Sequence, residues 1–173
     1  MISIVQKDDP VLRKISEPVS KETFGSKKLT ELIAKMKTAL KEQEDGVAIA
    51  SPQLGISWRM FVISKRAFAM EKKQGLKSDL VFINPEIISK SKDKKLVPEG
   101  CLSVRWLYGN TRRASRVKIR AYDENGKKFE MIGTGLLAQI FQHEVDHLDG
   151  ILFIDHAKDL EEIRPDQVNH AKA

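Results

Sequence analysis

Residues 133–150 restrict the fold more than any other stretch of this chain. Leu136, Leu137, Ile140, Phe141, Val145 and Leu148 recur there at steps of three and four, and Gly150 follows. That spacing draws one apolar stripe along a helix, and the stripe needs a second layer to cover it. A similar stripe runs through residues 26–45 as Leu29, Leu32, Ile33, Met36 and Leu40, with Gly46 expected to end the helix. Between the two helices the period changes. Arg59-Met60-Phe61-Val62-Ile63-Ser64 and Leu80-Val81-Phe82-Ile83 are short apolar runs of strand type, the second stopped by Asn84-Pro85. Val117, Ile119 and Ala121 alternate with Lys118, Arg120 and Tyr122, and Asp123-Glu124-Asn125-Gly126 then turns the chain into Lys127-Lys128-Phe129-Glu130-Met131-Ile132. This is a hairpin pattern. The expected class is therefore α+β, with mainly antiparallel sheets packed around the second helix and an amphipathic helix nearer the N-terminus.

A chain of 173 residues can bury a core without disulfides. With no internal repeat or low-complexity linker to divide it, residues 1–165 are expected to form one catalytic domain and residues 166–173 a frayed tail. No apolar run approaches the roughly 20 residues of a membrane span, and the first ten residues do not resemble a secretory signal. A cytoplasmic location without membrane contact is expected. The net charge of +6 comes from scattered lysines such as Lys27, Lys28, Lys35, Lys37 and Lys41, and aromatic residues make up only 6%. That composition argues against a sequence-specific nucleic-acid reader and leaves weak attraction to RNA open.

Chemistry is concentrated in the last helix. His143-Glu144-Val145-Asp146-His147 places two imidazoles one turn apart, so both face the same way and can grip one ion, with the Glu144 carboxylate beside them. Two helical histidines can also simply pack or titrate at a surface. A catalytic site of zinc type wants a third protein ligand and leaves the fourth position to water. The signature with a third downstream histidine meets Phe153 instead, and a carboxylate from Glu161 or Glu162 would have little chain left to support it. Cys101 is the only cysteine and sits in Glu99-Gly100-Cys101-Leu102-Ser103. A lone cysteine is often plain core, but a two-ligand helix in need of a partner makes Cys101, His143 and His147 the expected triad.

Three segments in order resemble the peptide deformylase family along nearly the whole chain. They are Gly46-Val47-Ala48-Ile49-Ala50-Ser51-Pro52-Gln53-Leu54-Gly55, Glu99-Gly100-Cys101-Leu102-Ser103, and Gln142-His143-Glu144-Val145-Asp146-His147. Asp9-Pro10-Val11-Leu12-Arg13 and Asn84-Pro85 are also family-like. Ala48 stands where the family commonly has glycine, Ser51 where it has alanine, and residues 104–109 lack the proline often found after the cysteine motif.

The resemblance implies a metal-dependent hydrolase that removes the formyl group from the N-terminal methionine of new proteins and releases formate. It implies one divalent ion per chain, with Fe(II) expected, although a thiolate with imidazoles also suits zinc, and nickel or cobalt are tolerated. Glu144 is implied as general base and then acid, and the Gln53 amide and Leu102 backbone N–H as donors to the formyl oxygen. Gly46, Val47, Ala48, Ile49, Leu136 and Ile140 are implied in substrate binding. Partners are then N-formyl-methionyl nascent peptides, with transient ribosome contact left open. Two rivals remain at this point: a metallopeptidase built on His143, Glu144 and His147, and an inactive homologue that binds ribosomes. Asp146 is expected to pair with Arg112 or Arg113 and so steady the metal helix.

Overall fold

The computed structural model describes residues 2–70 and 78–164. The tail expected to fray, residues 166–173, lies outside them. Helix α1 spans Lys27–Lys41, and Ser26 caps it by accepting the Leu29 N–H. It ends at Glu42, four residues before the expected stop at Gly46. Residues 42–47 instead form an irregular link into strand β1, Ala48–Ala50. The Arg66 guanidinium secures that link by donating to the carbonyls of Leu40, Gln43, Glu44 and Gly46. The orphan carbonyls that a glycine cap would have satisfied are thus met by a side chain.

Strands β2, Met60–Ile63, and β3, Leu80–Lys90, follow, with helix α2, Lys65–Met70, between them. Next come β4, Lys94–Gly100, β5, Leu107–Ala114, β6, Arg116–Tyr122, and β7, Lys128–Thr134. Helix α3, Gly135–Leu148, and strand β8, Lys158–Glu162, complete the described chain. Asn84-Pro85 does not stop β3. The β3–β6 ladder shifts register between Ile83 and Glu86, and Asn84 takes a φ of 49°. Proline can donate nothing to a ladder, so the strand bulges around it. The Asn84 amide then clasps the Val19 N–H and carbonyl, both at 2.8 Å.

All ladders among the named strands are antiparallel, in a five-stranded sheet of order β1-β2-β3-β6-β7 and a three-stranded sheet of order β4-β5-β8. The larger sheet is apolar on both faces because its strands alternate between two cores. Phe61, Ile63 and Phe82 face α3, where Phe82 meets Phe61 and Phe141 at ring separations of 4.7 and 5.6 Å. Met60, Val62 and Ile83 face α1. Helix α3 also packs against β5 of the smaller sheet, so it lies between the two sheets. This is the α+β arrangement expected from the alternation of periods.

Candidate metal centre

His143 and His147 project from one side of α3, with their ring centroids 4.9 Å apart. Cys101 arrives from the residue after β4. That approach is tight: a Cβ at Gly100 would come within 2.7 Å of the Tyr108 ring opposite it in the ladder. Glycine alone lets β4 run close enough to deliver the cysteine there. One ligand atom each from Cys101, His143 and His147 lie within 4.8 Å of one another, and Cys101 Sγ is 3.1 Å from His147 Nε2. Separations of this order are ones that a single cation, with metal–sulfur bonds of about 2.3 Å and metal–nitrogen bonds of about 2.0 Å, would span.

The groups behind the triangle fit a cation as well. His143 Nδ1 lies 2.5 Å from Glu99 Oε1, which leaves Nε2 for a metal. Arg113 donates to both oxygens of Glu99, at 3.0 and 2.6 Å, and Thr111 donates a further short bond. Arg113 also reaches Asp146 at 2.6 Å. Arg113 is thus the partner of Asp146, and Arg112 is exposed on the strand. Burial alone would raise the Glu99 carboxyl, but bonds from His143 and Arg113 hold it well below the usual carboxylate range. Burial pulls His143 down, and its bonds to Cys101 and Glu99 more than offset that, so it sits well above its ordinary value. An imidazole driven to carry charge beside a sulfur and the Glu99 and Glu144 carboxyls marks a place that calls for positive charge. His147, desolvated and next to His143, is pushed well below its ordinary value.

Glu144 sits beside the triad, 4% exposed, and its Oε2 is buried without a hydrogen-bond partner among the described residues. Desolvation raises its carboxyl to about 7, with Glu99 and Asp146 adding to the rise and His143 opposing it. A carboxyl tuned to neutrality suits proton transfer. Gln53 is buried in a 3-10 turn, Ser51–Leu54. Its Oε1 accepts the Ala50 N–H at 2.8 Å, which fixes the amide orientation. Its Nε2 therefore points toward the triad, 3.1 Å from Ser103 Oγ and 3.7 Å from Cys101 Sγ.

A cavity of about 310 Å³ opens over these groups. Gly46, Val47, Ala48, Leu102, Leu136 and Ile140 line it together with Gln53, Cys101, His143 and Glu144. Ile49 does not. Strand alternation turns its side chain to the opposite face, where it is fully buried in the core against α1. Phe153, where a histidine-rich protease would place its third histidine, packs against His143 at a ring separation of 6.3 Å. Glu161 and Glu162 lie on the exposed strand β8. Sequence reasoning missed the part of Glu99, although a metal-binding histidine usually has a carboxylate behind its second nitrogen, and a glutamate two residues before the cysteine was a candidate.

The comparisons agree with this geometry. The chain matches the Polypeptide deformylase family over residues 1–162. It is 38% identical over 149 residues to peptide deformylase 2 of Clostridium acetobutylicum, covering 86% of this chain and 89% of that one. The peptide deformylase of Halothermothrix orenii is 41% identical over 155 residues, covering 90% and 92%. Among solved structures, the class I type b peptide deformylase from Acinetobacter baumannii with Met-Ala-Ser bound has a TM-score of 0.80 at 35% identity, covering 90% of this chain and 97% of that one. A Plasmodium falciparum peptide deformylase in complex with inhibitor has a TM-score of 0.76 at 36% identity, covering 91% and 90%. With matches of this extent and a Cys, His, His group that can hold a metal, the chain belongs to the polypeptide deformylase family, metal-dependent amide hydrolases that remove the formyl group from nascent peptides.

Proposed function

We propose that this chain performs the family reaction with Cys101, His143 and His147 as metal ligands, Glu144 as the proton carrier, and residues 1–165 acting as one catalytic domain. The observation that carries this reading is the meeting of the three ligand atoms within 4.8 Å beside a buried carboxylate oxygen that has no partner among the described residues. A divalent ion held there, which we take to be Fe(II), would supply Lewis acidity toward the formyl oxygen and would make a water more acidic.

Glu144 takes a proton from the attacking water and passes it to the departing amine as the carbon–nitrogen bond breaks. The Gln53 Nε2–H and the Leu102 backbone N–H offer donors where charge develops on the formyl oxygen. Leu136, Ile140 and Val47 provide apolar surface for the methionine side chain, and Gly46 and Ala48 belong to the same wall. The Met-Ala-Ser found on the Acinetobacter relative supports a linear peptide as occupant. Substrates are accordingly N-formyl-methionyl nascent peptides. No described helix is long and apolar enough to cross a membrane, and we place the enzyme in the cytoplasm, where transient ribosome contact would bring it to its substrates.

Formate release from formyl-Met-Ala, measured on anaerobically purified protein beside a metal inventory, tests the reading. Turnover with about one iron per chain, reduced roughly 10²–10⁴-fold in Glu144→Ala, is the expected result. Metal-loaded protein that releases no formate would leave the inactive homologue standing. Cleavage of internal peptide bonds, together with metal retention in Cys101→Ala, would favour a metallopeptidase.

A further inference from the structure

Two turns at one end of the smaller sheet gather positive charge. Residues 91–93 join β3 to β4, Ser115 joins β5 to β6, and backbone bonds stitch the two links together. The Ser91 N–H donates to the Arg116 carbonyl at 2.9 Å, Ser91 Oγ accepts the Arg116 N–H at 3.1 Å, and the Ser115 N–H donates to the Asp93 carbonyl at 3.1 Å. Lys90, Lys92, Lys94, Lys95, Arg112 and Arg116 are thereby held near one another, and all six are exposed.

Their charge goes unanswered. Elsewhere Lys37 pairs with Glu124, Arg59 with Asp149, and Lys118 and Arg120 with Glu130. None of the six forms an ion pair with a described residue, and Asp93 is the one acidic side chain offered by residues 90–98 and 107–118 apart from the cavity. Like charges crowded in this way repel one another, and a polyanion would relieve the repulsion.

Strand alternation puts Lys94, Leu96 and Pro98 on one face of β4, and Arg112, directly opposite Leu96, shares that face. Leu96 is 54% exposed, so the face is open to solvent. Pro98 also lines the cavity. The cluster and the cavity rim thus lie on the same open face, about 14 Å apart for four residues at about 3.4 Å each. A large anion can meet the cluster without filling the cavity. Leu96 is the one large apolar side chain beside these cations, and they sit on strands and turns, which is not the amphipathic helix that beds into a lipid surface. The family's substrates are nascent peptides, which leave a particle built largely of RNA.

We propose that this cluster is a docking surface for the phosphate backbone of folded RNA, holding the enzyme with its cavity entrance beside the particle from which nascent peptides emerge. The contact reads phosphate and carries no base sequence. The choice of RNA rests on the deformylase reading of the site.

The test uses the full-length, metal-loaded enzyme and a short labelled RNA hairpin, with binding read by fluorescence anisotropy from about 50 to 200 mM salt. The wild type should bind with a Kd on the order of 10⁻⁶–10⁻⁴ M near physiological salt, and log K should fall against log salt with a slope of about −4 to −5, as for six phosphates. Lys92→Glu, Lys94→Glu and Arg112→Glu combined should weaken binding at least about tenfold and flatten the slope by about one for each cation lost. Lys27→Glu, Lys35→Glu and Lys41→Glu combined change the net charge equally, but on α1, whose Lys37 meets Glu124 beyond the opposite end of β6. That variant should stay within about threefold of wild type, because charges farther apart than about 10 Å are screened. Formate release from formyl-Met-Ala should be the same in both variants as in the wild type, which shows the fold intact. Equal loss of RNA affinity in the two variants, undetectable or salt-insensitive binding by the wild type, or tighter binding to phosphatidylglycerol vesicles than to the hairpin would overturn the proposal. Wild-type enzyme that binds RNA as described yet releases no formate would support the docking surface and strike the deformylase reading.

Discussion

Glu99 governs how His143 is presented, although it was not among the residues that the sequence singled out. Replacing it with glutamine keeps the shape and removes the charge that the His143 Nδ1 and Arg113 face. Metal affinity should fall about 10- to 100-fold, as for other carboxylates that support a ligand histidine, and a chelator competition titration measures it. Asp146→Ala should lower metal retention less, because Arg113 keeps its bonds to Glu99. Glu144 makes a different prediction, about pH. Its carboxyl rises to about 7 in the folded chain from an ordinary value of 4.5. Between those values the folded state therefore binds the proton more readily than the unfolded state, and the metal-free protein loses stability as pH climbs through that window. Glu144→Gln lacks that loss. Metal-free Glu144→Gln should be more stable than metal-free wild type at pH 8, by on the order of 3 kcal/mol, with the difference fading toward pH 4. Urea unfolding at both pH values would show it, and a difference independent of pH would refute it.

At the scale of single elements, the end of α3 depends on Gly150. Its φ is +75°, and a Cβ there would fall 2.7 Å from the carbonyl oxygen of Arg13. Gly150→Ala must both strain the backbone and push against main chain that cannot swing aside. A loss of more than about 1 kcal/mol in denaturant unfolding is expected, and a neutral outcome would mean that the 10–14 segment is free to retreat. The two long helices were legible because their apolar stripes are continuous over several turns, and the β6–β7 hairpin because its turn is short and its alternation clean. Strands β4, β5 and β8 were not. Lys94-Lys95, Arg112-Arg113 and Asp159 break any apolar alternation, and it is pairing across the chain that makes them strands. The metal triad could be read because helical spacing fixes two ligands and a lone cysteine invites a role. The support behind it was legible only in part: Arg113 was one of two expected partners of Asp146, whereas its bonds to Glu99, and that of Thr111, depend on β4 lying beside β5. The Ile49 side chain leaves the cavity for a local reason: a motif names consecutive residues, and a strand sends neighbours to opposite faces.

Across the whole molecule, Cys101, His143 and His147 bring α3 to the end of β4, so an ion bound there would bridge a helix and the smaller sheet. Chelation should therefore lower the melting temperature. At a free ion concentration a hundred times its Kd the linkage is worth about 2.7 kcal/mol, which at roughly 2–4 °C per kcal/mol is about 5–10 °C. Calorimetry with and without chelator measures it, and an unchanged transition would mean that the site contributes nothing to holding these layers together. The sandwich of α1, sheet and α3 was only partly foreseeable, because the double-faced burial of β2 and β3 looks in sequence like any short apolar run. The lone sulfur of the chain has an analytical consequence too. Because Cys101 is at once the sole cysteine and a member of the triad, a thiol-reactive dye can label this protein at one place only. The fraction of chains that resist the dye then counts occupied centres directly, one atom standing as the gauge for the entire preparation.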